Sequence, residues 1–346
     1  QATQLTVFQR TPAFSMPALN QSVAPEVQAN WKESYSSRRH TARHSSFGVP
    51  DYPMDKSAFD VTPDERERAY EDAWATGELV ALMQQFNDLL VNQEANDTAS
   101  EFVRNKIRSV VDDPVIAEAL CPTSFPIGTK RACLDSGYYA MFNDPHVALI
   151  DLLKTPIEEI TKSGIKTSTA ELKFDAIVFG TGFDAMTGAI VNVDVRGVGG
   201  VKLAEKWAEG PRAYLGLAVN KFPNLFMITG PGSPSVMSNM MISIEQHVDW
   251  ITQCLVHART HDWGVIEATQ EAESEWVSHV NDVANMTLFP QANSWYMGAN
   301  VPGKPRLFMP YIGGCGLYRA KCDEVAENDY TGFNLGALPE RQASAG

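Results

Sequence analysis

The chain has 346 residues, a net charge of −14, 44% hydrophobic and 20% charged residues, an ordinary composition for a globular protein with room for two or three cores. The acid excess argues against a nucleic-acid binder, whose phosphate partner demands a basic surface, and disfavours anionic membranes. No apolar run approaches the ~18 residues that a membrane span needs.

The sequence opens without an initiator Met or a signal-peptide pattern, and residues 5–8 already read as a strand, so it is expected to start inside a folded unit. Residues 17–60, rich in Ser, Pro and Arg, read as surface chain. Thr62 then supplies an N-cap, Pro63 a first-turn proline and Glu65 the capping-box partner, with Ala69, Tyr70, Ala73 and Trp74 as the apolar stripe. Further helical patterns carry Leu79, Met83, Phe86 and Leu90, then Phe102, Ile107 and Val110. Asp113 and Pro114 open another helix, ending before Pro122. After Gly128 the period changes, and short strands are expected at 147–153, 157–160, 171–174, 176–179, 191–195, 214–217, 225–228 and 307–311. Two long amphipathic helices fall between the last two groups of strands. One carries Ile244, Val248, Ile251 and Leu255; the other starts near Thr269 with Trp276, Val280 and Val283. A helix at 321–326 closes the pattern. Strands alternating with helices around a helical block give an α/β class.

Several stretches have the composition of a nucleotide site. The first strand runs out through Arg10 and Thr11. At the end of the second strand of a dinucleotide-binding unit, a guanidinium and a hydroxyl suit a 2′-phosphate and select NADP over NAD; a solvated strand end is the other reading. Lys130 and Arg131 are adjacent cations that an extended backbone points in opposite directions, one toward a phosphate and one toward a reaction centre, or else both into water. Residues 174–186, FDAIVFGTGFDAM, run from apolar residues into Gly180-Thr181-Gly182, where backbone can approach a ligand closely, and then Asp184. They lack the six-residue glycine spacing of a dinucleotide fingerprint. Residues 229–251, TGPGSPSVMSNMMISIEQHVDWI, place a Gly/Ser/Pro loop before a helix, whose first N–H groups can receive a polar cofactor edge. Residues 293–314, NSWYMGANVPGKPRLFMPYIGG, set Trp295 in a Gly/Pro-rich stretch that reads as a lid or as a surface loop with a structural Trp. Cys121, Cys133, Cys254, Cys315 and Cys322 form no CxxC pair, and the histidines form no HxH or HExxH. No metal is expected, and the thiols read as buried and reduced, as in a cytoplasmic protein.

Taken together, LTVFQRTP (5–12), KRACLDSGYYAMFN (130–143), FGTGFDAMTG (179–188), RGVGGVKLAEKW (196–207), GPGSPSVMSNM (230–240), SIEQHVDWI (243–251) and SWYMGANVPGKPR (294–306) resemble the Baeyer–Villiger monooxygenases of the phenylacetone and cyclohexanone monooxygenase type. The resemblance covers nearly the whole chain. It implies a flavoprotein architecture of two dinucleotide-binding domains with an inserted helical domain and the N-terminal part missing. Residues 1–17 would end the first part of the NADP domain, 18–126 form the helical insertion, 127–182 complete the NADP domain, and 183–346 belong to the FAD domain. The family's two GxGxxG fingerprints and its FxGxxxHxxxW/P signature do not occur here and are expected upstream of Gln1.

The implied reaction uses NADPH, FAD and O2. A C4a-peroxyflavin inserts one oxygen next to a ketone carbonyl, giving an ester or lactone. Arg131 would be the catalytic cation. Arg10, Thr11 and Lys130 would hold the 2′-phosphate, and Gly180, Thr181, Gly182 and Asp184 would meet cofactor. Ser238, Asn239 and Met240 would lie near the flavin, Trp295 against NADP, and Ser235, Val236 and Met237 along the ketone pocket. A monomer or weak homo-oligomer is expected. A related flavin N- or S-oxygenating monooxygenase, or a non-catalytic NADP-binding fragment, are the alternatives.

Overall fold

The strand Leu5–Gln9 lies parallel to Val147–Asp151, with Leu5 opposite Val147 and Gln9 opposite Asp151, in a computed structural model that describes residues 2–52 and 54–337. Parallel strands need a long crossover, and here it is the helical block between them. Its helices begin where side-chain caps are available. Thr62 and Glu65 form the capping box of Pro63–Trp74, Asn92 caps Gln93–Val110, and Asp113 caps Pro114–Leu120. Ile107, Leu120, Cys121, Tyr139, Phe142 and Val147 form the core that joins these helices to the strand pair. Each such side chain contributes roughly 1.5–3 kcal/mol by leaving water. A second parallel pair, Ser15–Pro17 with Cys133–Asp135, and the antiparallel sheet of Ile157–Ile160, Gly164–Thr167 and Glu171–Lys173 complete this α/β unit. It comprises Gln1–Ser22 and Tyr52–Gly182.

The other unit comprises Val23–Asp51 and Phe183–Gly346. Its helices Met240–Thr260, Gln270–Asn285 and Cys315–Glu327 surround the antiparallel strands Val265–Ala268 and Phe333–Gly336. Leu215, Leu217, Trp250, Cys254, Trp276, Tyr318 and Cys322 form its core. Thr269 caps the second of these helices through Ala272 N–H.

Several expectations are corrected. Residues 17–60 do not simply wander: Pro25–Glu33 and Tyr35–His44 are helices. The first buries none of its residues and the second only Ala42, so no apolar stripe announces them. Residues 23–51 pack with the second unit. Asn239 N–H donates to Phe47 O at 2.8 Å, and Cys315 N–H to Ser46 O at 3.0 Å. No strand forms at 176–179; Val178 is 92% exposed and Phe179 67%, and no ladder among the described residues includes them. An apolar run cannot be a strand without a neighbour for its N–H and C=O groups. Residues 214–217 and 225–228 make only isolated bridges, 191–195 fall in a short helix and turn, and 307–311 run without a ladder.

In the 240–260 helix the buried face is His247, Trp250, Cys254 and Ala258, while Val248 and Leu255 are about half exposed, so the expected stripe is displaced by one residue. All five cysteines are free; four are buried, but Cys133 is exposed. Burial pushes the Cys254 and Cys322 thiols up to about 12, which keeps them inert. Among the described residues no helix is long and apolar enough to cross a membrane, and no three ligating side chains cluster as a metal site.

Candidate functional site

In the first unit the ladder between Ser15–Pro17 and Cys133–Asp135 brings two chain segments side by side. Cys133 N–H donates to Phe14 O at 3.2 Å, so the stretch entering from Arg10 and Thr11 runs next to the stretch entering from Lys130 and Arg131. Phe14 and Phe125 meet edge to face at 5.5 Å, and Lys130 Nζ lies 4.3 Å over the Phe125 ring. Burial and the nearby Arg10 guanidinium both hold the Lys130 ammonium below its usual pKa. Among the described residues no carboxylate forms an ion pair with either cation. Two cations close enough to repel, one half-buried, form a place where a dianion lowers the energy of both. Arg10, Thr11 and Arg131 are exposed.

Gly180-Thr181-Gly182 ends this unit in irregular backbone. A Cβ at Gly180 or Gly182 would meet nothing within 4 Å, and Gly182 has φ of 83°. The backbone is open to close approach from a ligand. Asp184, which follows in the second unit, has a protein partner: its carboxylate pairs with Lys304 Nζ.

The second unit builds the loop 229–239 with unusual firmness. Gly232 N–H donates to Met309 O at 2.7 Å, Tyr311 N–H to Ser233 O at 2.8 Å, and Trp276 Nε1–H to Gly232 O at 2.9 Å. Beneath it lies His247, fully buried. Thr229 N–H donates to its Nδ1 at 2.9 Å, while Nε2 lies 3.1 Å from the Tyr318 hydroxyl, which itself donates to Leu215 O at 2.6 Å. The acceptor role of Nδ1 and the donor role of Tyr318 fix the proton on Nε2. Burial and then Arg319 push the His247 pKa down to about 4. Thr229 and Leu215, the two ends of this relay, both sit at φ of 55°, a conformation that costs a non-glycine residue roughly 1–3 kcal/mol.

Ser235, Val236 and Met237 form one 3-10 turn of this loop. Ser235 is 2% exposed, and its hydroxyl donates to Thr229 O at 3.1 Å, whereas Val236 and Met237 are half-buried. Ser238 and Ser243 share a hydrogen bond of 2.6 Å, and Asn239 caps the helix that begins at Met240. Trp295 opens a 3-10 turn, packed 4.2 Å from Tyr296, and its indole N–H has no hydrogen bond to a described residue. Beside it the buried Ser294 hydroxyl also has no hydrogen-bond partner among the described residues.

No family model matches the chain. A phenazine N-monooxygenase, PhzNO1 of Lysobacter antibioticus, is 38% identical over 340 residues, covering 98% of this chain and 62% of that protein. A Baeyer–Villiger monooxygenase of Pseudooceanicola batsensis is 37% identical, covering 95% and 60%. The solved structure of an oxidised steroid monooxygenase bound to NADP is 44% identical with a TM-score of 0.91, covering 98% of this chain and 63% of that one. The chain is a homologue of the Baeyer–Villiger monooxygenases. It spans about three fifths of the length of these relatives.

In this Baeyer–Villiger monooxygenase homologue, sequence reasoning missed His247, Tyr318, Asn300 and Lys304. Spacing held a signal for the first: His247, Trp250 and Cys254 recur at i, i+3 and i+7, so a histidine on that face is buried and must be satisfied. Tyr318, Asn300 and Lys304 gave no local signal, because their partners are 71 to 120 residues away.

Proposed function

We propose that the chain serves a flavin-dependent Baeyer–Villiger monooxygenation. One atom of O2 enters the bond beside a ketone carbonyl to give an ester or lactone, the other leaves as water, and NADPH supplies two electrons. The observation that carries this reading for the chain's own residues is the pair Arg10 and Lys130, two neighbouring cations without a carboxylate ion pair among the described residues, suited to the 2′-phosphate of NADP. FAD and NADP, which solved relatives bind, fit the residues present: an open glycine turn for close backbone contact, and for polar groups the buried Ser294 hydroxyl and the N–H of half-exposed Trp295, neither with a hydrogen bond to a described residue. When bound, FAD would supply the oxygen-activating chemistry.

Arg10, Thr11 and Lys130 would hold the phosphate and Trp295 would donate to NADP. Gly180, Thr181 and Gly182 would lie against cofactor, and Ser238, Asn239 and Met240 beside the flavin. Ser235, Val236 and Met237 would bound the ketone. Arg131 would set a fixed positive charge at the reacting carbon's oxygen. A guanidinium cannot lose its proton near neutral pH, and an oriented donor to a developing oxyanion is worth roughly 3–4 kcal/mol of barrier. The unit of residues 1–22 and 52–182 would carry the NADP role, with the helices between residues 63 and 120 as its insertion, and the unit of residues 23–51 and 183–346 the FAD role, so the expected insertion 18–126 loses residues 23–51 to the second unit. Five free cysteines fit a reducing cytoplasm, and a monomer or weak homo-oligomer is expected.

Titration calorimetry with NADP+ and NAD+ tests the reading. NADP+ should bind at least ~10-fold tighter, as expected for a doubly charged phosphate between two cations, and Arg10→Ala or Lys130→Ala should remove that preference. Equal affinities for both nucleotides would overturn it. The homologous phenazine N-monooxygenase favours a second reading, oxygen transfer to a ring nitrogen. Mass spectrometry of a ketone and a phenazine incubated with the FAD-loaded protein and NADPH separates the two, and no product from either would leave a non-catalytic NADP-binding fragment.

A further inference from the structure

The segment that follows the glycine turn and the loop that carries Trp295 are fastened to each other inside the second unit. The Asp184 carboxylate pairs with Lys304 Nζ, which also donates to Ala185 O at 3.1 Å, and Asn300 Nδ2 donates to Phe183 O at 2.7 Å. The Lys304 side chain is only 12% exposed, unusual for a lysine, while Asp184 keeps 40%. Both partners sit in spaces cleared by glycine. A Cβ at Gly188 would lie 2.7 Å from Asp184 Cβ and Cγ. A Cβ at Gly298, where φ is 67°, would lie 3.2 Å from Lys304 Cγ and Cδ and 3.0 Å from Pro305 O. The loop turns on itself at the same place, with Ala299 N–H donating to Ser294 O and Lys304 N–H to Val301 O. A buried ammonium, a carboxylate in a fitted recess and a second hydrogen bond to the same short segment amount to a built attachment rather than an incidental surface pair.

We propose that Asp184 and Lys304, with Asn300, are positioning residues: a latch that holds the Trp295 loop against the chain leaving the Gly180–Gly182 turn. This gives Asp184 a role other than the cofactor contact expected for it. The latch fixes the indole N–H of Trp295 by holding its loop at residues 300 and 304. The inference rests on the reading that Trp295 meets NADP, and it makes the latch a determinant of how long the nucleotide stays bound.

Hydrogen exchange followed by mass spectrometry on the full chain tests the latch without activity. In Asp184→Asn and in Lys304→Met, amide exchange across 294–305 should rise on the order of tenfold, while the 240–260 helix keeps its protection. The double variant should exchange no faster than Lys304→Met alone, because that substitution already removes the ion pair that Asp184→Asn weakens, together with the bond to Ala185 O. Asn300→Ala, which leaves the ion pair in place, should raise exchange several-fold and keeps the test available if a charge variant folds poorly. Unchanged exchange in these variants, or strictly additive effects in the double, would overturn the latch. Added NADP+ separates this from the functional reading. Protection of 294–305 in the parent chain, with severalfold faster nucleotide release in Asp184→Asn, supports both. If NADP+ protects nothing there, the assignment of Trp295 fails, and with it the latch as a determinant of retention.

Discussion

Replacing His247 with glutamine should leave the protein folded at neutral pH and abolish much of its acid sensitivity. Glutamine can accept from Thr229 N–H and donate to the Tyr318 hydroxyl, as the neutral ring does, but it cannot take up a proton. In the parent chain the ring titrates near 6.5 when unfolded and is pushed down to about 4 when folded, because burial and Arg319 disfavour the imidazolium and Nδ1 is already an acceptor. The folded state therefore binds fewer protons than the unfolded state between those two values. The stability from a neutral His247 is fully present above about pH 6.5, falls as pH drops toward 4, and falls no further below it. The difference is worth about 3 kcal/mol. Urea unfolding of both proteins at a series of pH values from 7.5 to about 4 measures it, since every other titrating group contributes equally to each and cancels in the difference. The parent should lose about 3 kcal/mol more than His247→Gln over that range. Parallel stability curves for the two proteins, or a His247 imidazole resonance (identified by its loss in His247→Gln) seen by NMR to titrate above pH 6, would refute the relay.

Two further outcomes are expected. Arg131→Ala should lower oxygenation of a ketone by on the order of 100–1000-fold with an unchanged unfolding midpoint, and near-normal product formation in the folded variant removes Arg131 from the reaction. Glu273, its side chain 2% exposed, forms an ion pair with Lys206 at 3.0 Å and accepts from Arg212 at 3.4 Å and from Asn220 N–H at 2.8 Å. Glu273→Ala strands the mostly buried Lys206 ammonium and should cost roughly 3–5 kcal/mol in urea unfolding, whereas a loss below about 1 kcal/mol would mean that water takes over those bonds.

Features whose causes lie within a few residues were legible. Thr62 and Glu65 close a capping box because both ends of the contact are three residues apart, and Asp113 and Thr269 begin helices for the same reason. The conjunction of FQRTP, the Lys130-Arg131 pair and SWYMGANVPGKPR was specific enough to indicate the family that the relatives then bore out. The helices at Pro25–Glu33 and Tyr35–His44 were invisible. They are polar on nearly every face, and the second is tied down by Arg39 and Arg43 on Glu245, some 200 residues away.

Sequence alone determined the helix starts capped by Thr62, Asp113 and Thr269, the glycine turn and the cationic residue types at 10 and 130–131, since each follows from local sterics and side-chain chemistry. Tertiary structure decided which of them met. It set Lys130 over Phe125 where the Arg10 charge is felt, and turned the 240–260 helix so that His247 rather than Val248 lay inside. It also left 176–179 without a ladder and gave Asp184 to Lys304. The reason is the same in each case. Hydrogen bonds and ion pairs in a buried setting are strong only when both partners arrive, and the second partner is chosen by the packing of segments far apart in the chain.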